Sequence, residues 1–378
     1  MKKFFCFVTA AVLFAFFAAF CVSAESTGTD GIIKEQYDAS GADKIEDSLT
    51  DEAREFLKDA GIEDGEFFIE NELDAGNFFD AVLSLLTVNL KSIALSLSAS
   101  LGIIVLSSLV SGMYDKNALD GVLSLCVTAS AALCLIVPIT KTVTKALSAV
   151  GSGGRVILCF VPVMAGILIG MGKNFTSVGF SGIMLAAAET VTFLTTYFFT
   201  PLISAHMALS VCSVSGNAAG TVRTADALKK VTNWSLLFVL GVFVFLLGIQ
   251  TSVASGADDL GLQTAKFVLG SAVPVVGTAV GEALGTVKGC LSLLGTSVGG
   301  YTVIAVSAVF LPTVLELAAW RLALLAVSAV SGFMGNEQTA KLSDGLGNSL
   351  GLIIGILLCI LVMFIISLTM VMRIGGRI

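Results

Sequence analysis

Residues 349 to 372 read SLGLIIGILLCILVMFIISLTMVM, twenty-four positions without a charged side chain. A helix needs about 20 apolar residues to cross the hydrocarbon core of a bilayer, and this run supplies them before Arg373 and a short basic tail. It therefore sets the solvent in which the rest of the chain is read. Working back from it, apolar segments recur near 84–112, 118–139, 155–172, 177–200, 201–217, 232–253, 262–285 and 301–334. The whole chain is 56% hydrophobic and 13% charged, with a mean hydropathy of +0.95. An average soluble domain carries about 25% charged residues, so a water-soluble globule of this length is excluded. The expected fold is an all-α, polytopic transmembrane helical bundle over residues 81–378, with six to nine crossings.

Three segments fit this scheme awkwardly. The stretch 201–217 is short, starts at Pro201 and contains His206, as half of a bent hairpin with the preceding helix would. The stretch 262–285 is Gly-rich and broken by Pro274, and 301–334 is too long for one upright crossing and carries Pro312, Glu316 and Arg321. Non-helical backbone at membrane depth survives only buried in protein or lining water. A re-entrant loop or polar path is expected among these three.

Charge is segregated along the chain. Between Glu25 and Asp80 stand eighteen of the 28 acidic residues against Lys34, Lys44, Arg54 and Lys58, while the remainder is mildly basic. A sequence pI of about 4.8 thus describes one short segment, and no nucleic-acid-binding surface is expected. Lys2 and Lys3, the apolar run Phe4–Val22 and the small-residue site Val22-Ser23-Ala24 before Glu25 predict a signal peptide over 1–24, cleaved after Ala24. An uncleaved first helix is the alternative, and a lipoprotein site at Cys21 is disfavoured by bulky Phe20. Either way residues 25–80 form an acidic extracytoplasmic segment. Within it Leu49, Ala53, Phe56, Leu57 and Ala60 recur at helical spacing, predicting a short amphipathic helix near 48–60. Lys and Arg favour the cytoplasmic side, which makes Arg223-Lys229-Lys230 the expected cytoplasmic loop and Asp258-Asp259 the expected external one. Lys141, Lys145 and Arg155 fit that scheme poorly.

The eight cysteines include no C-x-x-C pair, and those beyond the signal sit singly in apolar segments, as small buried hydrophobes do. An internal repeat is expected near 160–256 and 272–373. Val214-Ser215-Gly216 and Val330-Ser331-Gly332 each end an apolar segment, as does Val110-Ser111-Gly112. Thr224-Ala225 and Asn233 find counterparts in Thr339-Ala340 and Asn348, and Val161-Pro162-Val163 in Val273-Pro274-Val275. Many transporters are built from such repeats.

Ionisable residues inside apolar segments are costly and are functional candidates by default. Here they are Lys91, Glu189, His206, Glu282, Glu316 and Arg321. Glu316 and Arg321 stand five apart, about 140° around a helix, so each needs a partner on another helix or a watery cavity. Helix packing is the plainer reading of all six, and a polar conduction path the sharper one. His206 is the sole histidine, and a satisfied buried residue is a commoner outcome than a proton relay. There is no phosphate-binding loop, nucleophile elbow or zinc-ligand spacing, so neither enzyme activity nor a metal or cofactor is expected. Gly151-Ser152-Gly153-Gly154 and the stretch Gly295–Gly300 read as loops or as close helix contacts.

The stretch Thr264-Ala265-Lys266-Phe267-Val268, with Gly270 and then Pro274-Val275-Val276-Gly277, resembles the stage III sporulation protein AE family of endospore-forming bacteria. The signal, the acidic segment, Val161-Pro162-Val163, Asn233-Trp234-Ser235 and the basic tail extend the resemblance along the chain. The resemblance implies a component of the channel that joins mother cell and forespore, placed in the mother-cell membrane surrounding the forespore. It also implies partners among the other stage III channel proteins, including a cytoplasmic ATPase and ring-forming proteins. That family brings no catalytic residues with it. The competing expectation is a stand-alone secondary transporter of a small solute, and a third is a passive scaffold.

Overall fold

The computed structural model describes residues 43–62, 81, 84, 91, 93–106, 109, 120–212, 219–272 and 277–375. The expected signal peptide lies outside them, as do the repeat landmarks at 110–112, 214–216 and 273–275. Among the described residues every regular element is helical. In chain order they are α1 (Asp43–Asp47), α2 (Asp51–Asp59), α3 (Ile93–Leu106), α4 (Asp120–Gly170), α5 (Asn174–Leu194), a π-helical turn (Thr195–Phe199), α6 (Thr200–Cys212), α7 (Ala219–Ala272), α8 (Gly277–Phe333) and α9 (Glu337–Gly375).

The amphipathic helix of the acidic segment forms where its periodicity predicted. Thr50 caps α2, its hydroxyl accepting from the Ala53 N–H at 3.3 Å, and Asp51 and Glu52 occupy the positive end of the helix dipole. The helix closes on Gly61, whose φ of 76° suits only a residue without Cβ, with the Ile62 N–H bonded to the Leu57 carbonyl. Leu49, Ala53, Phe56, Leu57 and Ala60 are all buried, and α2 packs on α8 while α1 packs on α4.

Among the described residues five helical stretches are long and apolar enough to span a bilayer: Cys126–Gly170, Asn174–Cys212, Gly220–Gln250, Leu294–Phe333 and Glu337–Met372. The uncharged run 349–372 lies in α9, which touches α4, α5, α6, α7 and α8 and sits between them. Opposite it, α7 turns Trp234, Leu237, Phe238, Phe245 and Ile249 outward, the face a lipid-contacting helix presents.

Several expected boundaries dissolve. The segments 118–139 and 155–172 are one helix, α4, which carries Pro138 and Pro162 internally. The Gly-Ser-Gly-Gly stretch between them is a site of close contact and not a loop. At Gly153 an added Cβ would collide with the ring of Phe310 on α8, which itself packs on Phe364 of α9. Gly295 lies likewise against Met164 and Ile167 of α4.

The hairpin expected at 201–217 is replaced by continuous helix from α5 to α6. Proline has no N–H to donate and its ring crowds the preceding turn. The chain accommodates Pro201 by widening into the π-turn, in which the Thr200 N–H and hydroxyl both reach back to the Thr195 carbonyl. The stretch 301–333 is helix throughout despite Pro312, so the described residues 201–212 and 301–333 hold no re-entrant loop. Residues 273–276, the break expected at Pro274, lie outside the described set.

Among the described residues, the long helices reverse through three-residue turns at Gly172 and Gly335, with φ of 77° and 76°. Each is closed by an N–H bonded five residues back, Lys173 to Leu168 and Asn336 to Ser331. They make α4–α5 and α8–α9 antiparallel pairs.

These contacts fix which ends lie together. Thr128 of α4 meets Thr339 of α9 at 3.1 Å, and Lys229 of α7 meets Asn348. At the opposite end the buried Asp258 carboxylate accepts from the Phe175 and Thr176 N–H groups at 2.9 and 2.8 Å. Asp258 thus caps α5 from another helix, and Asp258-Asp259, expected as a loop, is part of α7. The Arg223–Lys230 stretch falls at the same end of the bundle as α2. Sidedness counted from separate segments is altered accordingly, because 120–170 is one continuous helix and not two.

Candidate functional site

Five helices, α4, α6, α7, α8 and α9, bring polar side chains to one level of the bundle. On α8, Glu316 accepts from Thr142 Oγ1 at 2.8 Å and from Lys145 Nζ at 3.0 Å, both on α4. The same ammonium lies 3.0 Å from Glu52 of α2. Glu316 is largely covered, at 14% side-chain exposure, whereas Glu52 is 55% exposed. The inner contact therefore carries most of the energy, since exposed ion pairs contribute roughly 0–1 kcal/mol.

A second group gathers on a single turn of α9. The Lys229 ammonium donates to Asn348 Oδ1 at 2.6 Å. His206 Nδ1 lies 2.7 Å from Ser349 Oγ, and both residues are buried. The Arg321 guanidinium lies over Gly351, where an added Cβ would stand 2.9 Å from Nη1. At Gly345 a Cβ would meet Ser210 of α6 at 2.7 Å, so glycine is what lets α6 approach α9 closely. The Ser210 hydroxyl in turn donates to the His206 carbonyl.

This belt marks one edge of an apolar zone. From Gly351 beside Arg321 to Met372 beside Gly299, α9 rises ~32 Å at 1.5 Å per residue, close to the ~30 Å hydrocarbon thickness. Beyond the far edge lie Lys173 and the Asp258 cap. In that setting the belt can hold α4, α6, α7, α8 and α9 in axial register, because each polar group released from its partner would be left in an apolar surround.

Of the predicted residues, the structure brings His206, Glu316 and Arg321 into the belt. Glu189 stands apart, exposed on α5 within the apolar zone, and Lys91 is exposed. Glu282 lies on α8, where its side chain is outside the described set. Among the described residues no three His, Cys, Asp or Glu side chains gather as a metal site. Sequence reasoning missed Lys145, Thr142, Lys229 and Ser349. The misfit of Lys145 with the charge rule was a usable signal, and Asn348 surfaced only as a repeat landmark.

The comparisons with known proteins follow this architecture. A family model described as stage III sporulation protein AE matches residues 53–375, from α2 to the end of α9. The stage III sporulation protein AE of Bacillus subtilis (strain 168) is 27% identical over 143 residues, 38% of this chain and 36% of that protein. The match thus spans about a third of that relative's length. No solved structure matches.

Proposed function

From the premise that the chain belongs to the stage III sporulation protein AE family, we propose that it is a membrane component of the channel complex linking mother cell and forespore. The single observation that carries this is the family match running from α2 through all five candidate spans. In this reading the helices form a permease-like core in the mother-cell membrane around the forespore, and they shape the mother-cell end of the conduit. The acidic segment is extracytoplasmic and lies between the two membranes. Through α2 the segment is docked on the helical body, with Glu52 and the covered apolar face tying it to α4 and α8. The remaining channel proteins, a cytoplasmic ATPase and ring-forming components, are its partners, and the chain has no enzymatic role of its own.

Deleting the gene in its spore-forming host tests this directly. Forespore development should fail and late forespore gene expression should be lost. Normal spores from the deletion strain would sink the proposal. The competing secondary-transporter reading is separated by reconstitution: autonomous solute flux in liposomes, abolished by Glu189→Gln, would favour it over a channel component.

A further inference from the structure

Two charges face outward in the middle of the apolar zone. Arg155 on α4 and Glu189 on α5 are both exposed, yet α4 and α5 there lie between the polar belt and the Lys173–Asp258 end. A Cβ at Gly154 would stand 3.8 Å from Thr192 Oγ1, which fixes the facing of the two helices. Arg155 is one residue on from Gly154 and Glu189 three before Thr192, so at about 100° per residue both fall on the outer side of the pair and at the same height to within a turn. Arg155 commits one donor, to Ser152 Oγ on its own helix at 2.8 Å, of the five a guanidinium carries. Glu189 has no hydrogen bond or ion pair with any described residue.

Charged side chains at this depth face a partner or a water-filled cavity, and not acyl chains. We infer that the outer face of α4 and α5 is a contact between two copies of this chain, in which Arg155 of each pairs with Glu189 of the other. The choice of a second copy follows from the charges. One cation and one anion at equal height on one face are self-complementary under a two-fold axis along the membrane normal, which also keeps both copies in the same orientation. The surface around them suits close approach. Leu158 and Leu185 are partly exposed there, and Gly151 and Gly166, on the same side of α4, have open space where a Cβ would stand. This inference stands apart from the channel reading and does not need it.

Two differently tagged full-length copies co-expressed in one membrane, solubilised and captured through one tag, test it. Wild-type copies should co-purify. Arg155→Glu and Glu189→Arg, each with itself, should lose at least about tenfold of the second tag. The Arg155→Glu copy with the Glu189→Arg copy should regain it, because both cross-contacts are then complementary again, which pairing within one chain would not produce. A Leu158→Cys copy and a Leu185→Cys copy, in a background lacking the native cysteines and with both charges intact, should cross-link through a short bismaleimide. Single variants that self-associate as well as the wild type, a mixed pair no better than either alone, or no cross-link would each overturn it.

Discussion

At the scale of single residues, the cost of burying charge decides which contacts matter. Glu316 is the covered acid of a four-residue group, bonded by Lys145 and Thr142, with the exposed Glu52 reached only through Lys145. Removing Glu316 takes from the Thr142 hydroxyl its short acceptor and from the half-covered Lys145 ammonium the more buried of its two carboxylates, whereas removing Glu52 takes away only a solvated partner. Glu316→Ala should therefore destabilise the detergent-solubilised protein by about 1–3 kcal/mol, and Glu52→Ala by no more than ~1 kcal/mol. Thermal unfolding of the two variants checks the order; equal losses would show that Lys145 is held mainly by Glu52. Glu316 and Arg321 were legible in the sequence as charges in need of partners. Lys145, Lys229 and Ser349 were not, because a partner is defined by the packing of helices distant in sequence.

At the scale of the helices, glycine separates two environments that composition makes look alike. Gly153 faces the ring of Phe310, with no room for a Cβ. Gly248 on α7 faces open space amid exposed apolar side chains. Gly153→Ala should cost about 1–3 kcal/mol by forcing α4 off α8. Gly248→Ala should be neutral or stabilising by up to ~1 kcal/mol through helix propensity. Thermal shift assays on both proteins measure the difference, and tolerance at Gly153 would mean that the α4–α8 contact is looser than described. The helices themselves were largely legible, since apolar length and periodicity report them. Their junctions were not: Gly-rich stretches and prolines signal a break, yet Pro138, Pro162 and Pro312 sit inside helices and Pro201 only widens a turn.

At the scale of the whole molecule, the contacts of α2, α4, α7 and α9 fix relative sidedness. The α2 end, the start of α7 and the start of α9 lie together, and the Asp258 cap lies at the other end with the close of α9. A membrane-impermeant thiol reagent should therefore label Glu55→Cys and Thr224→Cys from the same side of the membrane, and a carboxy-terminal tag should be reached only from the opposite side. Labelling of Glu55→Cys and Thr224→Cys from opposite sides would break the arrangement.

The sequence by itself determined the solvent, the helical class, the amphipathic helix near 48–60 and the family, because hydrophobic length, periodicity and a local motif are properties of contiguous residues. Only the tertiary structure decided that nine apolar segments resolve into fewer, longer helices, that Asp258 caps a helix begun some eighty residues earlier, and that a polar belt gathers across α4, α6, α7, α8 and α9. Those features depend on which faces meet, and a meeting of faces is settled by packing all the helices at once.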